Sequence, residues 1–165
     1  MTTRPLKIVQ ACFNCSYPPI QVVITTPAPS TPPPIKTFNF YYEKMEWVQA
    51  VQYCAAKGQR LAIISTVAEL QRAQSLVTAK NKDVWLAGND KSYEGHWKWA
   101  DGSLDEYNTF INAGGSVGLD FAWKDGYPHM DDDEDCLYMD YHNGGEFDDE
   151  KCDHDKYVLC DDGTN

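Results

Sequence analysis

The fold of this chain is decided by residues 85–103, which read WLAGNDKSYEGHWKWADGS. Residues 84–88 and 96–99 are short apolar or aromatic runs that are predicted as two strands, and Asp101-Gly102-Ser103 has the composition of a turn. Because large aromatic side chains contribute much of the area that a core buries, we expect four tryptophans inside the domain. They are Trp47, Trp85, Trp97 and Trp99.

Two amphipathic helices are predicted ahead of this stretch. In residues 44–57 the apolar side chains recur every three or four positions, and Gly58 follows where a helix end favours glycine. Thr66-Val67-Ala68-Glu69 is a capping box and predicts a second helix that ends near Lys80. Further strands are predicted at 38–42, 136–141 and 156–160, a strand or extended link at 61–64, and long loops at 104–130. Early helices and late strands indicate an α+β fold.

Acidic residues are concentrated toward the C-terminus. The 165 residues include 25 acids and 14 bases, which give a net charge of −11. Residues 120–165 hold 16 of the acids and three bases, so this segment alone carries −13. Such a surface repels phosphate backbones and argues against a nucleic-acid partner. The sequence has no run of 18 apolar residues, so no membrane span is predicted.

The first 36 residues differ in composition from the rest. Seven prolines between residues 18 and 34 alternate with threonine and serine, and proline has neither an amide donor nor a free φ. This pattern predicts an extended stalk, either O-glycosylated outside the cell or a plain solvated linker. We therefore expect a tail and stalk at 1–36, one domain at 37–162 and a short tail at 163–165.

Six cysteines indicate a protein of an oxidising compartment. An even number of scattered cysteines is typical of disulfide-bonded secreted domains, so we expect an extracellular, secreted protein whose signal peptide is absent from this chain. Cys12 and Cys15 form a CxxC pair in the tail, and this pair could be redox-active, half of a zinc site or an interchain link. An interchain link would make an oligomer through the N-terminal tail.

Five motifs follow one another along residues 38–160. They are the first helix with Trp47, Ala50, Cys54 and Gly58, then WLAGND at 85–90, EGHWKWADGS at 94–103, Glu134-Asp135-Cys136, and the pair Cys152 and Cys160. In this order they resemble the C-type lectin-like domain. The resemblance implies two helices flanking small antiparallel sheets, a long irregular loop region with the ligand site, and the disulfides Cys54–Cys160 and Cys136–Cys152.

Acidic runs at 131–135 and 148–150 have the chemistry of a calcium site, although such runs are often only solvated loops. Ca²⁺ takes six to eight oxygen ligands, and crowded carboxylates repel one another unless a cation neutralises them. The resemblance implies two calcium positions. The residues that match the auxiliary position are Asp90, Glu94, Glu134 and Asp135, with Asp131 as a further loop ligand.

The second implied position binds calcium and sugar together. Its matching acids are Glu134, Asp148 and Asp149, but Tyr127-Pro128-His129 stands where sugar-binding members have polar residues on both sides of a proline, usually after a cis bond. A neutral phenol is a poor calcium ligand, and the nitrogen of His129 suits transition metals better. Tyr127 could instead stack on the apolar face of a sugar.

We expect a calcium-dependent carbohydrate-binding module with an atypical Tyr-Pro-His motif. The alternative is a module for a protein ligand, with calcium structural or absent. An enzyme is not expected, because His129, His142 and His154 lie outside any H-E-x-x-H pattern and the chain has no G-x-S-x-G.

Overall fold

The computed structural model describes residues 35–100, 122–129 and 133–163, together with the backbone of residues 107–110. The chain divides into two units, Met1–Pro32 and Pro33–Asn165, and the description below concerns the second. Among the described residues, no helix is long and apolar enough to cross a lipid bilayer.

The first helix, α1, spans Trp47–Ala56 and follows the strand β1, Phe38–Met45. Its predicted apolar face is the buried one: Trp47, Ala50, Val51 and Cys54 all lie in the core. Gly58 has φ +68°, a left-handed conformation that glycine adopts without steric cost, and it turns the chain after the helix.

The second helix, α2, spans Val67–Lys80 and begins at the predicted capping residue. Thr66 Oγ1 accepts a 3.1 Å hydrogen bond from the amide of Glu69. The Glu69 carboxylate reaches back one residue further than a capping box requires and accepts from the amide of Ser65 at 2.6 Å. The helix ends at Asn81, which has a left-handed backbone and whose amide donates to the carbonyl of Thr78.

The strands form one hydrogen-bonded network around β3, Val84–Asn89. Its main path runs β1, β8 (Lys156–Asp161), β3, β4 (Lys98–Ala100) and β5 (Tyr107–Phe110). The short β2 (Arg60–Leu61) pairs with β8, while β6 (Cys136–Asp140) pairs with β3 and with β7 (Glu146–Glu150). Among these described strands, β3 and β8 run parallel and the other pairs are antiparallel.

The core lies between the helices and this sheet. The four predicted core tryptophans, Trp47, Trp85, Trp97 and Trp99, are at most 1% exposed. Both predicted disulfides are confirmed: Cys54–Cys160 joins α1 to β8, and Cys136–Cys152 joins the start of β6 to the segment after β7. The α+β architecture with two helices is likewise confirmed.

The two ends of the domain are fastened together by charge as well as by strand pairing. β1 and β8 pair in the register Phe38 with Asp161. The ammonium group of Lys36, at the beginning of the described chain, is buried against the carboxylates of Glu69 and Asp161. Arg60 Nε supplies a second cation to Asp161 at 2.8 Å.

Several predicted boundaries were wrong. Irregular loops were predicted at 104–130, but Tyr107–Phe110 forms a strand. No strand was predicted between residues 141 and 156, where Glu146–Glu150 forms β7. β7 was missed because its three consecutive buried residues include Asp148 and Asp149, where an apolar residue would be expected. The first helix begins at Trp47 instead of residue 44, since β1 continues to Met45, and the strand predicted at 96–99 is β4, Lys98–Ala100.

Candidate metal and ligand site

The candidate ligand residues are brought together by two backbone contacts. The amide of Asp90, just after β3, donates to the carbonyl of Asp135 at 3.2 Å. The amide of Lys124 donates to the carbonyl of Phe147 at 2.9 Å, next to a bridge between Trp123 and Phe147. Segment 122–129 therefore lies beside β7, and the loop after β3 lies beside the residues that lead into β6.

Asp90, Glu94 and Asp135 form a first group, the Asp90 cluster. Each offers one carboxylate oxygen, and these oxygens lie within 4.8 Å of one another. Asp90 is 3% exposed; its Oδ2 accepts from the amide of Gly95 at 2.8 Å, and its Oδ1 has no hydrogen-bond donor among the described residues. Burial, followed by the charges of Glu94 and Asp135, raises the pKa of Asp90 to about 7. The cluster therefore has the oxygen donors of a calcium site.

His129, Glu134 and Asp149 form a second group, the His129 cluster, with ligand atoms again within 4.8 Å. His129 Nδ1 lies 2.8 Å from Glu134 Oε2 and 3.9 Å from Asp149 Oδ1. Asp149 Oδ2 accepts from the backbone amide of His129 at 2.8 Å, whereas its buried Oδ1 has no hydrogen-bond donor in the described chain. The Asp149 side chain is 0% exposed.

Titration in this second group reflects burial and mutual charge. Burial raises the pKa of Asp149 to about 7, against the opposing hydrogen bond from His129. Burial lowers the pKa of His129, but the hydrogen bond to Glu134 and the charge of Asp149 raise it by more, so the net direction is upward. The imidazole can therefore carry a proton that partly balances the two carboxylates.

Asp148 is held outside both clusters. Its Oδ2 accepts from Lys124 Nζ at 3.0 Å and from the hydroxyl of Tyr138 at 2.8 Å, and its Oδ1 accepts from the amide of Asp149 at 2.9 Å. The contact with Tyr127, followed by the hydrogen bond to Asp148, raises the pKa of Lys124 above its ordinary range. Lys124 was not predicted as the cation of Asp148. Its one signal in the sequence is that it is the first of only three bases in the acidic segment 120–165.

Two rings form the solvent-facing side of the second group. The centroids of Tyr127 and His129 are 4.1 Å apart, and Lys124 Nζ lies 4.0 Å from the centroid of the Tyr127 ring. The bond between Tyr127 and Pro128 is cis, as the resemblance implies. Trp123 lies behind this surface in the core, with its ring centroid 5.1 Å from that of Trp97.

The predicted site residues thus separate into two places. Asp90, Glu94 and Asp135 come together, and Glu134, which was assigned to both calcium positions, lies with His129 and Asp149. Asp148 is adjacent but bonded to Lys124. Asp131 and most of the insert-like stretch 104–119 lie outside the described residues.

Known proteins are similar to this chain in sequence and in fold. The sequence profile described as "Lectin C-type domain" matches residues 43–162. The CD209 antigen of Symphalangus syndactylus is 28% identical over 125 residues, which are 74% of this chain and 29% of that protein. The galactose-specific lectin nattectin of Thalassophryne nattereri is 31% identical over 100 residues, 56% of this chain and 52% of that protein. The chain therefore spans less than two thirds of the length of these curated relatives.

Solved structures agree with the assignment. The carbohydrate-recognition domain of the mouse scavenger receptor C-type lectin has a TM-score of 0.59 and 27% identity, over 76% of this chain and 87% of that one. The Ca²⁺-free form of a Ca²⁺-dependent type II antifreeze protein has a TM-score of 0.60 at 24% identity, over 76% of this chain and 90% of that one, which shows a shared fold alone. On the profile match, which covers most of the chain, this protein belongs to the C-type lectin domain family.

Proposed function

We propose that the domain is a calcium-dependent carbohydrate-binding module, extracellular and not an enzyme, with an atypical Tyr-Pro-His motif at its sugar site. The observation that carries the proposal is the Asp90 cluster, in which three carboxylate oxygens face one another and one buried oxygen of Asp90 has no described donor. A hard divalent cation would remove the repulsion between the carboxylates and would give the buried Asp90 oxygen a partner in place of water. Calcium is the ion that such sets of oxygen ligands bind.

Calcium at the Asp90 cluster would act on the sugar site through neighbouring residues. Asp135 belongs to the cluster, and Glu134, the residue before it, holds the ring of His129. Because consecutive residues of an extended segment point to opposite sides, one short segment serves both groups. Fixing Asp135 with an ion therefore also fixes Glu134, and with it the position of His129.

The sugar would bind across Tyr127 and His129. Partly exposed aromatic rings suit the apolar face of a pyranose, whose C–H groups they cover. Glu134 and Asp149 offer carboxylate acceptors to sugar hydroxyls, while Asp148 acts through the Lys124 ammonium group that it holds. The name of the relative nattectin, a galactose-specific lectin, supports a glycan as the ligand class.

The test is glycan-array binding with calcium and with chelator. We expect binding that chelator abolishes, that Asp90→Asn weakens through the loss of calcium, and that Tyr127→Ala weakens with calcium binding intact. Tyr42→Ala is the matched control, since Tyr42 is an aromatic residue of β1 that is 61% exposed. Sugar binding that resists chelator and Asp90→Asn would contradict the calcium dependence.

A protein ligand with structural calcium is the second candidate. It is favoured by the bond between Lys124 and Asp148, which occupies a carboxylate that a sugar-binding calcium would need. Under this alternative the array stays silent, yet millimolar calcium still raises the melting temperature because it binds the folded state. A melting temperature unchanged by calcium would remove the metal from both candidates.

Assembly through the N-terminal tail is part of either proposal, and non-reducing electrophoresis of the Cys12 and Cys15 variants tests it.

A further inference from the structure

The donor atoms of the His129 cluster differ in kind from those of the Asp90 cluster. One group offers carboxylates only, whereas the other offers one imidazole nitrogen and two carboxylates. Imidazole is a common ligand of zinc and similar divalent ions, and calcium takes oxygen. The buried Asp149 Oδ1, without a hydrogen-bond donor among the described residues, points to a ligand that is missing from the group.

The distances match a small ion. A tetrahedral ion with bonds of about 2.0 Å separates its donor atoms by about 3.3 Å. The observed separations from His129 Nδ1 are 2.8 Å to Glu134 Oε2 and 3.9 Å to Asp149 Oδ1, which bracket that value. The third separation, between the oxygens of Glu134 and Asp149, is at most 4.8 Å. Side-chain adjustments of about 0.5 to 1.5 Å would therefore bring these three donors into zinc geometry. A calcium ion would need about three further oxygens at least.

The neighbouring charges also disfavour calcium here. Asp148 would be the next carboxylate, but all its described hydrogen bonds bind it to Lys124, Tyr138 and the backbone of Asp149. Recruiting it would strip Lys124 of a buried acceptor and leave an ammonium group close to the ion. Two carboxylates and a neutral imidazole, by contrast, balance one divalent charge without Asp148.

We propose that the His129 cluster binds a divalent ion of the zinc class, with His129 Nδ1, Glu134 and Asp149 as its ligands, while the Asp90 cluster takes calcium. The two groups therefore differ in ion preference although Asp135 and Glu134 are adjacent in sequence. The His129 side chain is 42% exposed, so the ion would keep at least one position open to water or a ligand hydroxyl. This inference goes beyond the proposed function but concerns residues of the same proposed sugar site, so it is tested by ion binding and not by glycan binding.

The experiment is calorimetric titration of the untagged 165-residue chain with zinc chloride, in about 5 mM calcium chloride to keep the weaker oxygen sites filled. We expect one zinc ion to bind, with affinity reduced at least about tenfold by His129→Asn and by Glu134→Gln. His142→Asn is the matched control, because His142, Asp83 and Asp140 also offer one imidazole nitrogen and two carboxylate oxygens within 4.8 Å of one another. In that group both oxygens of Asp140 already accept hydrogen bonds, one from the amide of His142 and one from the side chain of Asn143, so we do not expect it to compete for zinc. We expect this control to bind zinc as the wild type does.

A second measurement does not depend on any variant. In the ¹⁵N-labelled wild type, zinc should shift the ring Nδ1 resonance of His129 and leave that of His142 in place. The proposal is overturned if zinc fails to bind in calcium, if His129→Asn binds it unchanged, or if the shifted ring is His142. None of these failures touches the glycan array, and loss of glycan binding with zinc binding intact would remove the proposed function alone.

Discussion

Replacing Lys36 with methionine is expected to lower the free energy of unfolding by about 3 kcal/mol. The Lys36 ammonium group donates to the carbonyl of Ile63 at 2.9 Å and to Glu69 Oε2 at 3.0 Å, and it lies 4.0 Å from Asp161 Oδ2. Its side chain is 1% exposed. Methionine keeps the unbranched chain in place but leaves two acids without this cation.

The magnitude follows from what the acids retain. Removing one partner of a buried ion pair costs about 3–5 kcal/mol, because the other charge stays buried. Asp161 keeps Arg60 at 2.8 Å and the amide of Ile63 at 2.9 Å, and Glu69 is 11% exposed and keeps the amide of Ser65. The lower end of the range therefore applies, and it corresponds to a urea midpoint about 1–2 M lower.

The assay is urea unfolding followed by tryptophan fluorescence, with disulfides intact and calcium fixed. Lys44→Met, at an exposed site on β1, is the control and should change stability by less than about 1 kcal/mol. Adding Glu69→Gln to Lys36→Met should recover at least about 1 kcal/mol, since it removes the stranded charge. A Lys36→Met loss below about 1 kcal/mol, or no such recovery, would refute the ion-pair reasoning.

Three other outcomes are expected. With chelator present, the stability of the wild type should fall as the pH rises from about 4 to about 7. The reason is that the folded chain keeps a proton on Asp90, whose pKa is about 7, after the unfolded chain has lost it. Asp90→Asn should reduce this fall in the urea midpoint, and an equal slope in the variant would contradict the assignment. The double variant Cys136→Ser, Cys152→Ser should lose about 3 kcal/mol of unfolding free energy in urea, as expected for a disulfide of sequence separation 16. It should also bind calcium more weakly in calorimetry. An unchanged calcium affinity would show that the Asp90 cluster forms without the disulfide. Gly145→Ala should lower the free energy of unfolding by about 2–3 kcal/mol, and Gly144→Ala by about 1 kcal/mol. Both glycines have a positive φ, but a Cβ at position 145 would lie 3.0 Å from atoms of Gln74 in α2. Equal melting temperatures of the two variants would contradict the steric argument.

Features with a local signal could be predicted from the sequence. The helices were found because periodic apolar positions and the Thr66 cap act within a few residues of one another. Strand β7 was missed because two of its buried positions are Asp148 and Asp149, 2% and 4% exposed, where the pattern demands apolar residues. Their burial depends on partners 20 or more positions away in sequence, Lys124 for one and the His129 backbone for the other.

The division of the site into two groups could not be predicted from the sequence either. The residue types indicated which side chains could be ligands. Only the tertiary structure shows that Glu134 lies beside His129, whereas its neighbour Asp135 lies beside Asp90. Lys36 has no sequence signal at all, since it follows a proline-rich stretch and its partners lie 27 to 125 positions away. Long-range charge pairing of this kind is set by the fold and not by local composition.

The disulfide between Cys54 and Cys160 also fixes how the domain would carry tension. Thr37 and Asp162 are joined at one end of the β1–β8 pair, so a pull between stalk and C-terminus would peel those strands apart bond by bond. Peeling of β8 would stop at Cys160, and on the other side only residues 38–53 could be drawn out before the load reached Cys54. From there the force would cross the sulfur–sulfur bond directly. Everything between the two cysteines, including the Asp90 and His129 clusters, would lie outside the load path, and the domain could hold a ligand under strain.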